Sequence, residues 1–136
     1  MERPFGHIAS LGKSGTQTLG TVIALIRART LSITIRLKCG ASLDANPKVS
    51  LYFTPDGKNY DTIAYTSFEL TYSAGNWVQR TIIIDPPEHG ALQVRIENQS
   101  SADTITMIDA WQTIQAYNIS EVFHEDMRKM LGGKRA

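Results

Sequence analysis

Leu31, Ile33, Ile35, Leu37 and Cys39 fall on one side of an extended chain, and Ser32, Thr34, Arg36 and Lys38 fall on the other. Strict period-two alternation with β-branched residues is the pattern of a half-buried strand, and it excludes a helix over this segment. The alternation returns at Val49, Leu51 and Phe53, and again at Leu92, Val94 and Ile96. Trp77 to Ile84 reads as a strand that becomes apolar on both faces at Ile82, Ile83 and Ile84, as expected deeper in a sandwich. Thr104 to Tyr117 is also strand-like, but its apolar phase slips at Ile108 and Asp109, which predicts a bulge or a break.

Between these strands lie turn-forming clusters at 44–47, 55–57, 73–76, 85–90 and 98–101. Short strands separated by turns at this rhythm predict an all-β, antiparallel β-sandwich of jelly-roll-like type over residues 21–117. Residues 1–20, rich in Gly, Ser and Thr, read as a flexible N-terminal arm. From Asn118 the period becomes helical. Ile119, Val122, Phe123, Met127, Met130 and Leu131 form one stripe, Asn118 caps the start and Gly132-Gly133 ends it. One C-terminal amphipathic helix with a basic tail is therefore expected over 118–136.

The chain has 136 residues, 42% hydrophobic and 20% charged, which suits one domain with its own core. A formal net charge of +1 gives no electrostatic commitment to nucleic acid or to an anionic membrane. No signal-type apolar segment is found, and Val22 to Ile26 is too short to span a bilayer, so no membrane insertion is expected. The single cysteine, Cys39, ends an alternating apolar series and reads as a buried, inert thiol.

Candidate chemistry is sparse. Asp56, Asn59 and Asp61 surround a glycine turn and loosely suggest a calcium loop, but the dense acidic order and bidentate Glu of such loops are missing. Pro55-Asp56-Gly57 is explained by turn geometry alone. His7, His89 and His124 have no partner at zinc spacing, and Gly12-Lys13-Ser14 lacks the strand and the first glycine of a phosphate loop. Glu88 and His89 make an acid-base pair on paper, in a loop that Pro86, Pro87 and Gly90 already explain as a sharp connector. No coherent catalytic constellation emerges, and neither an enzyme nor a cofactor is expected.

Aromatic residues concentrate in the middle of the chain: Tyr52, Tyr60, Tyr65, Tyr72 and Trp77. Tyr52 points away from the Val49, Leu51 and Phe53 face, so it is expected at the surface or under a partner. Tyr52, Tyr60 and Trp77 are the candidates for stacking on a sugar or anchoring an interface. Trp111 reads as core or interface.

Leu51 to Thr62, with its Thr-Pro-Asp-Gly turn followed by Tyr60-Asp61, resembles the hairpin of many small β-sandwich modules. Asp85 to Asn98 resembles the loop and penultimate strand of the same modules, with Asn ending the strand. Such modules occur in virion- and tail-associated proteins, in surface appendages, and as discoidin-like or carbohydrate-binding domains. The resemblance implies a fold and transfers no catalytic residue.

Two functions follow as expectations. The first is a noncatalytic structural or assembly protein, such as a virion or filament component. It would self-associate or join other subunits through its arm and through Phe123, Met127 and Met130 of its helix. The alternative is a carbohydrate-binding β-sandwich module that uses Tyr52, Tyr60 or Trp77 against a glycan. A small enzyme built on Glu88 and His89 is the weakest reading.

Overall fold

The computed structural model describes residues 2–22, 28–87 and 89–116. These form eight strands and, among the described residues, no helix. The strands are β1 (Glu2–Leu11), β2 (Thr16–Val22), β3 (Ala28–Cys39), β4 (Lys48–Thr54), β5 (Thr66–Glu69), β6 (Trp77–Ile84), β7 (Ala91–Glu97) and β8 (Ile105–Ala116). They pair into two four-stranded sheets in the orders β1-β8-β3-β6 and β2-β7-β4-β5. Every pairing is antiparallel, and the chain repeatedly crosses between sheets in the manner of a jelly roll.

The alternation that predicts the strands also builds the core. Leu31, Ile33, Ile35 and Leu37 of β3 are all 0% exposed, and they face Val49, Leu51, Leu92, Val94 and Ile96 of the opposite sheet, also 0% exposed. Each such side chain contributes about 1.5–3 kcal/mol of burial. Cys39 is buried within this core, as its position in the alternating series predicts.

The phase slip in the last strand is a bulge. Arg36 pairs with Asp109 and Lys38 with Thr106, so two residues of β8 stand opposite Leu37. Met107 absorbs the extra residue at φ 50°. Ile105, Ile108 and Ala110 therefore all reach the core despite their uneven spacing.

Three expectations change, and one falls on residues that the structure does not describe. Residues expected to form a mobile arm are the edge strands β1 and β2, one in each sheet. An edge strand needs few inward apolar groups, and Ile8, Leu11, Leu19 and Val22 supply them, each no more than 6% exposed. Gly12 to Gly15 form the turn between the two strands, closed by the Gly15 amide on the Gly12 carbonyl at 3.0 Å.

Trp77 to Ile84, expected deep in the sandwich, is the edge strand β6. Ile82 and Ile84 pack against the core, but Ile83 points outward and is 72% exposed. The hairpin that Leu51 to Thr62 resembles is not closed within those residues, because the strand after the Pro-Asp-Gly turn begins only at Thr66. Residues 55–65 are a loop, held to β4 by the Asp61 amide on Phe53 O and the Tyr65 amide on Leu51 O. Finally, the expected helix, with Phe123, Met127 and Met130, lies outside the described residues.

One end of the sandwich is knotted by Asn98, which is 0% exposed. Its Nδ2 donates to the carbonyls of Leu11, Gly12 and Asp103 at 3.2, 3.2 and 2.9 Å, and its Oδ1 accepts the Ser100 amide. A single side chain thus ties β7 to the β1–β2 turn and to the loop before β8.

Candidate functional site

On β4, inward Val49 and Leu51 force Lys48, Ser50 and Tyr52 onto the outer face of the β2-β7-β4-β5 sheet. On β7, Leu92, Val94 and Ile96 do the same for Gln93, Arg95 and Glu97. The register sets Tyr52 opposite Gln93, Ser50 opposite Arg95 and Lys48 opposite Glu97. On the other side of β7, Thr16 stands opposite Glu97 and Thr18 opposite Arg95.

Arg95 is the diagonal neighbour of Tyr52, a separation that long side chains span. Its guanidinium lies over the Tyr52 ring, 4.2 Å from the centroid, and its Nε donates to Gln93 Oε1 at 2.6 Å. The ring is therefore half-buried beneath a cation of its own chain. Beside this pair is a shallow depression lined by Thr16, Lys48, Ser50, Tyr52, Arg95 and Glu97. It offers an aromatic ring, hydroxyls, two cations and one carboxylate on a rigid sheet.

The other aromatic candidates are elsewhere. Trp77 is 42% exposed on β6, under the guanidinium of Arg36 at 4.3 Å from the ring centroid. It belongs to the opposite sheet, so the fold places Tyr52 and Trp77 on different sides of the sandwich. Tyr60 is half-buried in the 55–65 loop. Tyr65 donates its hydroxyl to Asp85 O at 2.9 Å, which is a loop-closing role. Trp111 is half-buried on β8, opposite Thr34 of β3 and Pro4 of β1.

Asp56 is spent on its own turn. Oδ1 accepts the amides of Asn59 and Lys58, both at 2.8 Å, and Oδ2 accepts Asn59 Nδ2 at 2.6 Å. Those bonds, the Asn59 amide foremost, hold the Asp56 carboxyl well below the usual carboxylate range. Gly57 takes φ 78°, which explains the glycine at that position. Among the described residues, no group of three or more His, Cys, Asp or Glu is arranged to hold a metal.

Two of the three histidines are also accounted for locally. His7 Nδ1 meets Asp109 Oδ1 at 2.6 Å across β1 and β8. His89 packs edge-on against Phe53, with centroids 5.9 Å apart, while Glu88 and His124 lie outside the described residues. Gly12-Lys13-Ser14 is the β1–β2 turn.

The sequence identifies Tyr52 but passes over Arg95, Lys48, Ser50, Thr16 and Glu97. The alternation in β4 and β7 already puts four of these on the outer faces of their strands. What it lacks is the register that makes β7 the neighbour of both β2 and β4.

No protein-family model and no curated protein matches the chain. Similarity is to solved structures. The enzymatically active domain of bacteriophage CBA120 tailspike protein 4 is 15% identical with a TM-score of 0.56, over 78% of this chain and 15% of that one. The CBM22-1–GH10 modules of Clostridium thermocellum endo-1,4-beta-D-xylanase 10B, in complex with xylohexaose, are 12% identical with a TM-score of 0.53. That match covers 88% of this chain and 30% of the other. A family 35 carbohydrate binding module from an environmental isolate aligns over 87% of this chain and 99% of its own, at 13% identity and a TM-score of 0.48. The chain thus spans a small part of the first two proteins, and its likeness to those two, at these identities, is one of fold.

Proposed function

We propose that this chain is a noncatalytic carbohydrate-binding module whose ligand lies across the outer face of the β2-β7-β4-β5 sheet. The observation that carries this reading is the Tyr52–Arg95 pair beside a depression lined by hydroxyl and charged side chains. A sugar presents an apolar C–H face and a rim of hydroxyls. An aromatic ring held on a rigid strand suits the first, and Ser50, Thr16, Arg95 and Glu97 suit the second. Similarity of fold to a xylanase solved with xylohexaose agrees with this reading. A noncatalytic role is supported by the lining, in which Glu97 is the one carboxylate among the described residues. Glycoside hydrolysis by the common routes takes two carboxyl groups flanking the scissile bond.

The test is affinity electrophoresis against a panel of soluble polysaccharides. Retardation by at least one of them, lost in Tyr52→Ala, supports the reading. Unchanged mobility across a broad panel removes it.

A second reading, self-association within a larger assembly, is favoured by outward Ile83, 72% exposed on an edge strand, and by the fold likeness to a tailspike domain. Phe123, Met127 and Met130 remain part of that proposal. Light scattering that shows only monomer at high concentration would count against it.

A further inference from the structure

Building on the carbohydrate reading, we infer that the ligand is an acidic glycan whose anionic group is held by Arg95 and Lys48. Two cations on one small depression need a reason. Arg95 has no carboxylate partner: its Nε is taken by a neutral amide oxygen, and its Nη groups have no acceptor among the described residues. The stack on Tyr52 and the Gln93 bond fix the guanidinium plane before any ligand arrives.

Lys48 stands between two acidic neighbours in register, Glu97 on β7 and Glu69 on β5. Yet among the described residues neither carboxylate comes within ion-pair distance of its ammonium. Glu69 is drawn the other way, accepting Gln99 Nε2 at 2.7 Å and Asn46 Nδ2 at 3.4 Å.

Lys48 and Arg95 are diagonal cross-strand neighbours, close enough for both side chains to reach one anion. A preset guanidinium offers paired N–H donors to a two-oxygen acceptor, and the ammonium adds an undirected charge. Glu97 stands directly opposite Lys48 and two residues along β7 from Arg95, where it repels an anion but accepts hydroxyls. This layout fits a chain with an acidic sugar over Arg95, within reach of the Lys48 ammonium, and a neutral, hydroxyl-bearing sugar toward Glu97. The anion is a uronate carboxylate or an ester sulfate, which share this recognition chemistry.

The experiment is isothermal titration of the whole chain with four oligosaccharides: an oligogalacturonide, its full methyl ester, a sulfated oligosaccharide and xylohexaose. The acidic ligands are expected to bind about tenfold or more tighter than the ester, the worth of one charge-assisted contact. That advantage should shrink as salt rises. Arg95→Gln and Lys48→Ala should each weaken binding of the acidic ligands more than binding of the ester, so that most of the advantage is lost, while Arg95→Lys, which keeps the charge without the fork, should restore part of it. The carboxylate and sulfate arms distinguish the two sources.

Ester and acid binding equally, with both lost in Tyr52→Ala, overturns the acidic-ligand inference and leaves the carbohydrate reading standing. Binding to none of the four and to no other glycan overturns both.

Discussion

Arg80 Nη1 on β6 donates to the carbonyl oxygen of Glu69 on β5 at 2.6 Å, so one side chain laces the open edge of one sheet to the open edge of the other. Arg80 points inward, opposite Ile35, and its guanidinium also lies 5.5 Å from the centre of the Phe68 ring. An inward charge on an edge strand stabilises the closed sandwich and discourages pairing with a foreign strand. Replacing Arg80 by Met should lower stability by about 1–2 kcal/mol in urea unfolding. The same variant should show greater association in light scattering.

Asn98→Ala should be more damaging. The three carbonyls of Leu11, Gly12 and Asp103 lose their shared donor inside a closed end of the sandwich. A loss of about 2–4 kcal/mol is expected, read as a shift in the urea midpoint. Asn98→Asp should be no better, because a carboxylate has no N–H to give.

Gly90 takes φ 81°, and a Cβ there would meet the carbonyl oxygen of Thr54 and the ring of Phe53. Gly90→Ala should cost about 1–3 kcal/mol in strain, measured by thermal unfolding. Asn or Asp, which tolerate left-handed backbone better, should rescue little, since the clash arises at Cβ itself.

Asp56, Glu69 and Asp103 all have folded-state carboxyl groups held below the ordinary range. The main causes are the Asn59 amide for Asp56, the Gln99 amide for Glu69 and the Ser42 amide for Asp103. Because the folded pKa is the lower one, each contributes stability that is present above the unfolded value. It is lost as pH falls through the folded value. The urea midpoint should therefore decline below about pH 5, and Asp56→Asn should reduce the difference between neutral and acid.

Tyr52→Ala and Trp77→Ala separate the two faces. If the glycan surface is the β2-β7-β4-β5 sheet, Tyr52→Ala abolishes retention in affinity electrophoresis and Trp77→Ala leaves it intact. The reverse result would move the site to the opposite sheet.

Much of the fold is legible in the sequence where alternation is strong. β3, β4 and β7 read correctly because each has consecutive inward side chains on a half-buried face, and the slip at Ile108 and Asp109, which reads as a bulge or a break, is a bulge. Edges are harder to read. β1 and β2 look like a mobile arm because two buried apolar residues each suffice for them, and the adjoining glycines and hydroxyls dominate the impression. Ile82, Ile83 and Ile84 look doubly buried, although Ile83 is exposed, because composition cannot tell an edge from a centre. The site is half legible for the same reason: Tyr52 stands out by type, whereas Arg95 gains meaning only from the strand beside it.

The first two strands take their partners from the far end of the described chain: β1 pairs with β8, and β2 with β7. During synthesis residues 2–22 therefore wait, unpaired, while the intervening strands emerge. Neither sheet is complete until its last strand arrives. Such non-local closure sets folding on the order of milliseconds to seconds and prolongs the time that open edges are available to other chains. Ile8 and Leu11 of β1 are thus both core residues and, for the early life of the molecule, its most persistent exposed apolar surface.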